Sequence, residues 1–342
     1  MFDSFQKTFV TVFVLALSCI FSACQSIQSQ NAANNARNDR EAKSADNYKW
    51  VQVTGQAGYK VGYNYPLYSI KDKLWAFHAE EIFSSPDGKA WTKAKLPSMR
   101  RDVYRSQYAK FGDAIYAFGR NTGNYEKMTF EPAVFRTTDM ETWEILSVRS
   151  NLPARIFFDV VEFKGKLWLL GGFDTKNYYN DVWNSADGVT WTRVAEKAPW
   201  SERNTYGKVL VFKDKLWLIG GGKIDQPPAE DVWNSEDGKT WTRVTEKMYS
   251  QPVLNGTPIV YDDRIWLLGV NRNDTFSNGM LVSTDGKEWQ ERSAPWSPRG
   301  GVAAAVHEGK LYMTGGKYSV TENSQIRFIY SNDVWYLMPA EQ

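Results

Sequence analysis

From about residue 44 onward the chain is a succession of short runs in which apolar and polar residues alternate, broken by Asp-Gly, Lys-Gly and Gly-Gly pairs. That is the pattern of strands joined by tight turns. One unit recurs as Ser185-Ala186-Asp187-Gly188-Val189-Thr190-Trp191, with copies at Ser85–Trp91, Thr137–Trp143, Ser235–Trp241 and Ser283–Trp289. Asp-Gly admits positive φ, so each copy predicts a hairpin turn. A sixth copy, Ser44-Ala45-Asp46-Asn47-Tyr48-Lys49-Trp50, opens the domain with Asn in place of Gly. A second unit is an apolar–aromatic strand: Leu74-Trp75, Ile115-Tyr116, Leu167-Trp168, Leu216-Trp217, Ile265-Trp266 and Leu311-Tyr312. The aromatics are 41, 52, 49, 49 and 46 residues apart, and Gly171-Gly172, Gly220-Gly221 and Gly315-Gly316 end three of these strands. A third unit is Asp-Val-Trp, at Asp181–Trp183, Asp231–Trp233 and Asp333–Trp335.

Each repeat of about 50 residues therefore holds four strands, a to d, and six repeats predict an all-β, six-bladed β-propeller. The last repeat ends at strand c, and its missing strand d is the opening segment, residues 44–54. The N-terminal strand is thus expected to pair with the last blade and close the ring, removing exposed edges. The Gly pair after strand b and the aromatic in strand d resemble the Kelch-repeat, galactose-oxidase-like propellers, over nearly all of residues 44–338. The Asp turns also look like the Asp boxes of sialidases, one residue shorter. Thirteen of the 15 Trp fall in strands b, c and d, where repetition assigns them to blade packing; Trp200 and Trp296 stand apart.

Composition narrows the function. Lys and Arg number 41 against 39 Asp and Glu, a balance that argues against nucleic acid as a partner. Two Cys and two His exclude zinc fingers, iron–sulfur clusters and multi-histidine copper sites, so neither cofactor nor metal is expected. Residues 8–23 form an uncharged apolar run, too short for a comfortable membrane span and suited to a signal peptide. Ser22-Ala23-Cys24 resembles the lipobox of bacterial lipoproteins, which implies lipidation at Cys24; Phe21 departs from the usual leucine. The expected organisation is a leader over 1–24, a polar tether over 25–43 and the propeller over 44–342. The resemblance implies a cell-envelope lipoprotein touching the membrane only through its lipid. Gln25, in place of an aspartate that resembles an inner-membrane retention signal, points to the outer membrane.

In an up-and-down blade the b–c and d–a connections share one face, and the long segments here (residues 120–132, 173–180, 222–230, 271–278 and 317–327) are all b–c or d–a connections. Length variation on one face of a rigid scaffold is where binding is expected. The d–a connections repeat Pro then Arg, giving candidate ligand contacts Arg101, Arg155, Arg203 and Arg299, with Trp200 and Trp296 beside them. A planar guanidinium fork suits carboxylates and phosphates, and a tryptophan offers a flat face to a sugar ring. The same arginines equally suit blade-edge carbonyls or a neighbouring carboxylate. The resulting expectation is a non-catalytic module for a protein or glycan, the ligand anionic if the arginines face it. The alternative is a carbohydrate-active enzyme of the sialic-acid mutarotase or epimerase type, with Glu80, Glu81, Asp159 and His307 as acid/base candidates. A galactose-oxidase chemistry is excluded, because the only cysteines lie in the leader.

Overall fold

A computed structural model describes residues 48–78, 81–94, 107–123, 128–223, 226–249, 255–272, 275–322 and 325–340. Cys24, the leader, the tether, Glu80 and Arg101 lie outside the described residues. The propeller is the unit Trp50–Met338; Met1–Lys49 and Pro339–Gln342 fall in a separate unit, described only at Tyr48, Lys49, Pro339 and Ala340.

Strand β1 (Tyr48–Thr54) comes first among the described residues. Blade 1 is β2 (Leu67–Ile70), β3 (Lys73–His78), β4 (Glu81–Ser85) and β5 (Thr92–Lys93). Blade 2 is β6 (Gln107–Phe111), β7 (Ala114–Gly123), β8 (Met128–Thr137) and β9 (Glu144–Ser147). Blade 3 is β10 (Asp159–Phe163), β11 (Lys166–Leu170), β12 (Val182–Ser185) and β13 (Thr192–Ala195). Blade 4 is β14 (Val209–Phe212), β15 (Lys215–Ile219), β16 (Val232–Ser235) and β17 (Thr242–Thr245). Blade 5 is β18 (Asn255–Tyr261), β19 (Arg264–Arg272), β21 (Gly279–Ser283) and β22 (Gln290–Ser293), with the short β20 (Thr275–Phe276) pairing to β19. Blade 6 begins with β23 (Ala303–His307) and β24 (Lys310–Thr314). A separate hairpin, β25 (Lys317–Glu322) and β26 (Gln325–Tyr330), intervenes before β27 (Val334–Pro339). The order in this sheet is β23, β24, β27, β1, so residues 50–54 lie beside β27 and the ring closes as the displaced repeat predicts.

The a–b turns are two-residue hairpins with both residues left-handed: Lys71 and Asp72 (φ 49° and 57°), Lys213 and Asp214 (48° and 57°), Asp262 and Asp263 (49° and 52°). This is the primed turn that matches strand twist. The c–d turns are held by their own side chains. In blade 4, Ser235 Oγ donates to Asp237 Oδ1 (3.1 Å) and accepts from Gly238 N (2.8 Å), while Asp237 Oδ1 accepts from Lys239 N and Thr240 N (2.8 and 2.7 Å). Trp241 Nε1 then donates to Gly238 O (3.0 Å).

The core is a ring of layers between blades. Trp168 of blade 3 lies over the blade 4 turn so closely that a Cβ on Gly238 (φ 71°) would stand 2.0 Å from its ring. Tyr116 meets Gly188, Trp217 meets Gly286 and Tyr312 meets Gly88 in the same way, and in blade 2 the buried Met140, left-handed at φ 63°, joins the cluster containing Trp75. Glycine or a left-handed residue is required here twice over, by backbone conformation and by the neighbouring blade's aromatic. Within each strand-b position the indole is anchored too: Trp75, Trp168, Trp217 and Trp266 donate Nε1 to the carbonyls of Ile70, Phe163, Phe212 and Tyr261.

The long b–c segments are more regular than the sequence indicates. In blade 2 they continue the ladder of β7 and β8, in blade 5 they add β20, and in blade 6 they form the β25–β26 hairpin.

Candidate functional site

The repeated arginines are consumed by the scaffold. Arg203 is 1% exposed. Its Nη1 donates to Asp231 Oδ1 (2.5 Å) and Gly220 O (3.1 Å), its Nη2 to Asp231 Oδ2 (3.1 Å) and Ser201 Oγ (2.6 Å), and its Nε to Ser201 O (2.9 Å). A guanidinium has five N–H groups, and all five are engaged. Arg299 repeats the arrangement with Asp333, Gly315 and Ser297. Arg155 pairs with Asp181 (2.6 and 3.0 Å) and Gly171 O (2.9 Å), lies 3.9 Å from the Tyr179 ring centroid, and leaves Nε without a partner. Each aspartate also accepts Nε1 of the tryptophan two residues on, Trp183, Trp233 or Trp335. At Asp231, burial alone would raise the carboxyl, but the Arg203 bonds outweigh it and hold it below its ordinary value. The Pro-Arg, Gly-Gly and Asp-Val-Trp motifs are thus one clamp, present in blades 3, 4 and 6. Trp200 and Trp296 are buried, the first against Trp241 at 6.0 Å and the second against Trp50 at 4.4 Å and Trp335 at 6.1 Å.

The predicted ring of arginines and tryptophans around the channel mouth is therefore replaced: Arg155, Arg203, Arg299, Trp200 and Trp296 point into blade interfaces, and none lines the central cavity. The physical reason is the aspartate at the head of strand c, which meets the arginine fork before any ligand does. His307 is likewise tied at both nitrogens, to Ser69 Oγ (2.9 Å) and Pro86 O (3.0 Å). Glu81 pairs with Lys93 at 2.5 Å.

The cavity itself, about 1000 Å³, is bounded by the inner strands and by the segments that lead into them. Much of its polar lining comes from residues near the start of those strands, Asn64, Gln107, Asp159, Asn204, Lys208 and Thr257, beside the rings of Tyr65, Tyr68, Tyr108, Phe157 and Tyr206; Lys110 and Glu162 further along the strands and Lys223 and Gln226 of the blade 4 b–c segment complete it. Asp159 ties three blades together. Its Oδ1 accepts from Gln107 Nε2 (3.1 Å) in blade 2 and its own strand's Val160 N (3.1 Å); Oδ2 accepts from Lys208 N and Val209 N (both 2.9 Å) in blade 4. Burial pushes its carboxyl up to about 7 against the pull of these donors and of Lys208, while burial pushes the Lys208 ammonium down to about 8. Lys208 Nζ reaches Gly256 O in blade 5 (2.5 Å). Tyr206, from the segment entering blade 4, donates to Asn64 O (3.1 Å) in the segment entering blade 1, the blade opposite, so its phenol spans the cavity. Burial raises the Tyr206 hydroxyl above its ordinary value, with Asp159 adding to the effect, so it stays protonated as a donor.

Of the acid/base candidates among the described residues, only Asp159 lines this space. Tyr206, Gln107, Lys208 and Asn64 had no motif to mark them. The one signal is positional: polar side chains stand where strand a begins, a place otherwise given to apolar residues. No cluster of three or more His, Cys, Asp or Glu arranged for a metal occurs among the described residues.

This fold and cavity define the class: a six-bladed β-propeller with a polar, aromatic-lined centre. No sequence family and no curated protein matches the chain. Among solved structures, that of YjhT, itself a propeller, superposes with a TM-score of 0.62 at 13% identity, covering 82% of this chain and 100% of YjhT. At that identity the likeness is one of fold.

Proposed function

We propose that this protein is a lipid-anchored, extracytoplasmic Kelch-type propeller that binds a small glycan in its central cavity. The observation that carries the reading is the cavity of about 1000 Å³, whose wall alternates aromatic faces with amide, hydroxyl and carboxyl groups. Pockets that hold saccharide-sized ligands combine an apolar wall with a few oriented polar groups. The Ser22-Ala23-Cys24 motif supports the anchor, and the Gly pairs and strand-d tryptophans support the Kelch type.

A second reading, a carbohydrate-active enzyme, draws on Asp159, whose buried carboxyl titrates near neutrality beside Lys208. Binding is favoured over turnover because both Asp159 oxygens already accept two N–H donors each, which makes it a tie between blades before it is a base. The test is a glycan array followed by calorimetry on the hits. Tyr206→Ala and Gln107→Ala are expected to weaken binding at least tenfold with the fold intact. Saturable binding that both substitutions leave unchanged would move the site elsewhere, and NMR-detected conversion of a bound sugar would decide for the enzyme.

A further inference from the structure

Eight large hydrophobic side chains are exposed among the described residues, and they are not scattered. Five of them, Val61 (48%), Tyr63 (39%), Ile326 (70%), Phe328 (45%) and Tyr330 (36%), belong to β26 and to the segment that packs against the base of its hairpin. Gly62 bridges Ser331, and Gly316 N donates to Gly62 O, so the two segments are one surface. The β25–β26 register puts Lys317 opposite Tyr330, Ser319 opposite Phe328 and Thr321 opposite Ile326, so all six share one face. Tyr63 meets Tyr330 at 5.6 Å. The Lys317 ammonium lies 4.0 Å from the Tyr63 ring centroid and 4.5 Å from that of Phe328, and faces no carboxylate among the described residues. Exposed apolar clusters of this kind mark interaction sites.

Two further features select the partner. The hairpin is a sheet of only two strands, and among the described residues the outer edge of β26 has no ladder partner. A free edge beside an apolar face is the geometry of strand addition, where main-chain bonds supply affinity and alternate side chains supply specificity. Among the described residues the charge at the face is positive and uncompensated, since Lys317 is held between rings while Arg327, on the other face, is already paired with Glu322. A second copy of this chain would bring like charge to like charge. A bilayer would have to cover the unpaired backbone of the edge, which hydrocarbon cannot satisfy.

We infer that the β25–β26 hairpin of blade 6 is a docking edge for an extended protein segment that carries apolar residues and one acidic residue on the same face, added as a third strand along β26. None of Val61, Tyr63, Lys317, Ile326, Phe328 and Tyr330 lines the central cavity, so the docking edge is proposed independently of a glycan ligand. The probe is a fluorescein-labelled ten-residue peptide of alternating Thr and Val in which one Val is replaced by Glu, so that Val and Glu share a face, titrated against the full chain by anisotropy beside a control with Lys in place of that Glu. Saturable binding is expected, weakened at least tenfold by Ile326→Ser combined with Phe328→Ser, and at least tenfold by N-methylation of alternate peptide amides. Lys317→Glu should shift preference to the Lys control peptide. All three side chains stand at the surface of a hairpin outside the blade ladders, and an unchanged thermal midpoint verifies the fold of each variant. Three results would each overturn the inference: no saturable binding, equal affinity for the Glu peptide and its Lys control, or patch-dependent association with phosphatidylglycerol vesicles or with a second copy in place of the peptide.

Discussion

Arg203 illustrates how a residue that looks made for a ligand can be fully occupied by its own fold. Removing it would leave Asp231 partly buried without its cation, and breaking a buried ion pair from one side costs about 3–5 kcal/mol. Arg203→Ala should therefore lower the unfolding free energy by roughly that amount, read by urea denaturation; an undiminished stability would return Arg203 to the list of ligand contacts. Gly238 makes a sharper case. A Cβ there meets the Trp168 ring at 2.0 Å on a left-handed backbone. Gly238→Ala should cost about 2–4 kcal/mol from overpacking and strain together, and the paired Trp168→Leu should recover part of it, measured as a double-mutant cycle. At this scale the roles of the motif tryptophans and glycines were legible in the sequence, because repetition at equivalent positions signals packing. The partner of each arginine was legible as well, since the Pro-Arg, Gly-Gly and Asp-Val-Trp motifs occur together in the same three repeats. Reading them as separate units concealed the clamp. Tyr206 and Gln107 left no such trace, because a residue that acts once in a repeat protein has no periodic counterpart to mark it.

The turns are elements whose stability rests on a carboxylate. Asp87, Asp139, Asp187 and Asp237 all lie below their ordinary value near 3.8. At Asp87 and Asp237 the leading cause is a backbone N–H, from Lys89 and Thr240 respectively; at Asp139 and Asp187 partial burial pulls upward and is outweighed by N–H and hydroxyl donors. A depressed folded value means that the folded state holds fewer protons than the unfolded one as pH falls through 4, so stability is present above pH 4 and drains away below it. The thermal midpoint should fall steeply between about pH 4 and pH 2, and replacing these four aspartates by Asn should flatten that slope while lowering the plateau. The a–b turns offer the opposite lever. Lys71 and Asp72 occupy left-handed backbone that costs a side-chain-bearing residue about 1 kcal/mol. Lys71→Asn with Asp72→Gly should raise the midpoint by a few degrees in calorimetry. Element identity came readily from turn chemistry, whereas the extension of the b–c segments into hairpins did not, because residues 317–327 lack the Asp-Gly signal that marks the other turns.

At the scale of the molecule, the inner strands meet around a shared centre, β6 with β10, β10 with β14, β14 with β18, β18 with β23 and β23 with β2. Side-chain bonds cross the same junctions: Thr257 Oγ1 to Val302 O, Tyr261 OH to Gly309 O and Thr205 Oγ1 to Leu170 O. Loosening one blade is thus felt by two neighbours, and unfolding should be a single cooperative transition by both tryptophan fluorescence and circular dichroism. The seam where β1 completes blade 6 gives this cooperativity a direction in time. During synthesis β1 is made some 280 residues before β27, the strand it pairs with, so it waits, unsheeted, until β27 has been translated. A chain cut short by even its final strand leaves both β1 and β24 with bare edges. The architecture therefore couples closure of the ring to the making of β27: a chain truncated before Val334 should be digested by protease faster than one that includes it.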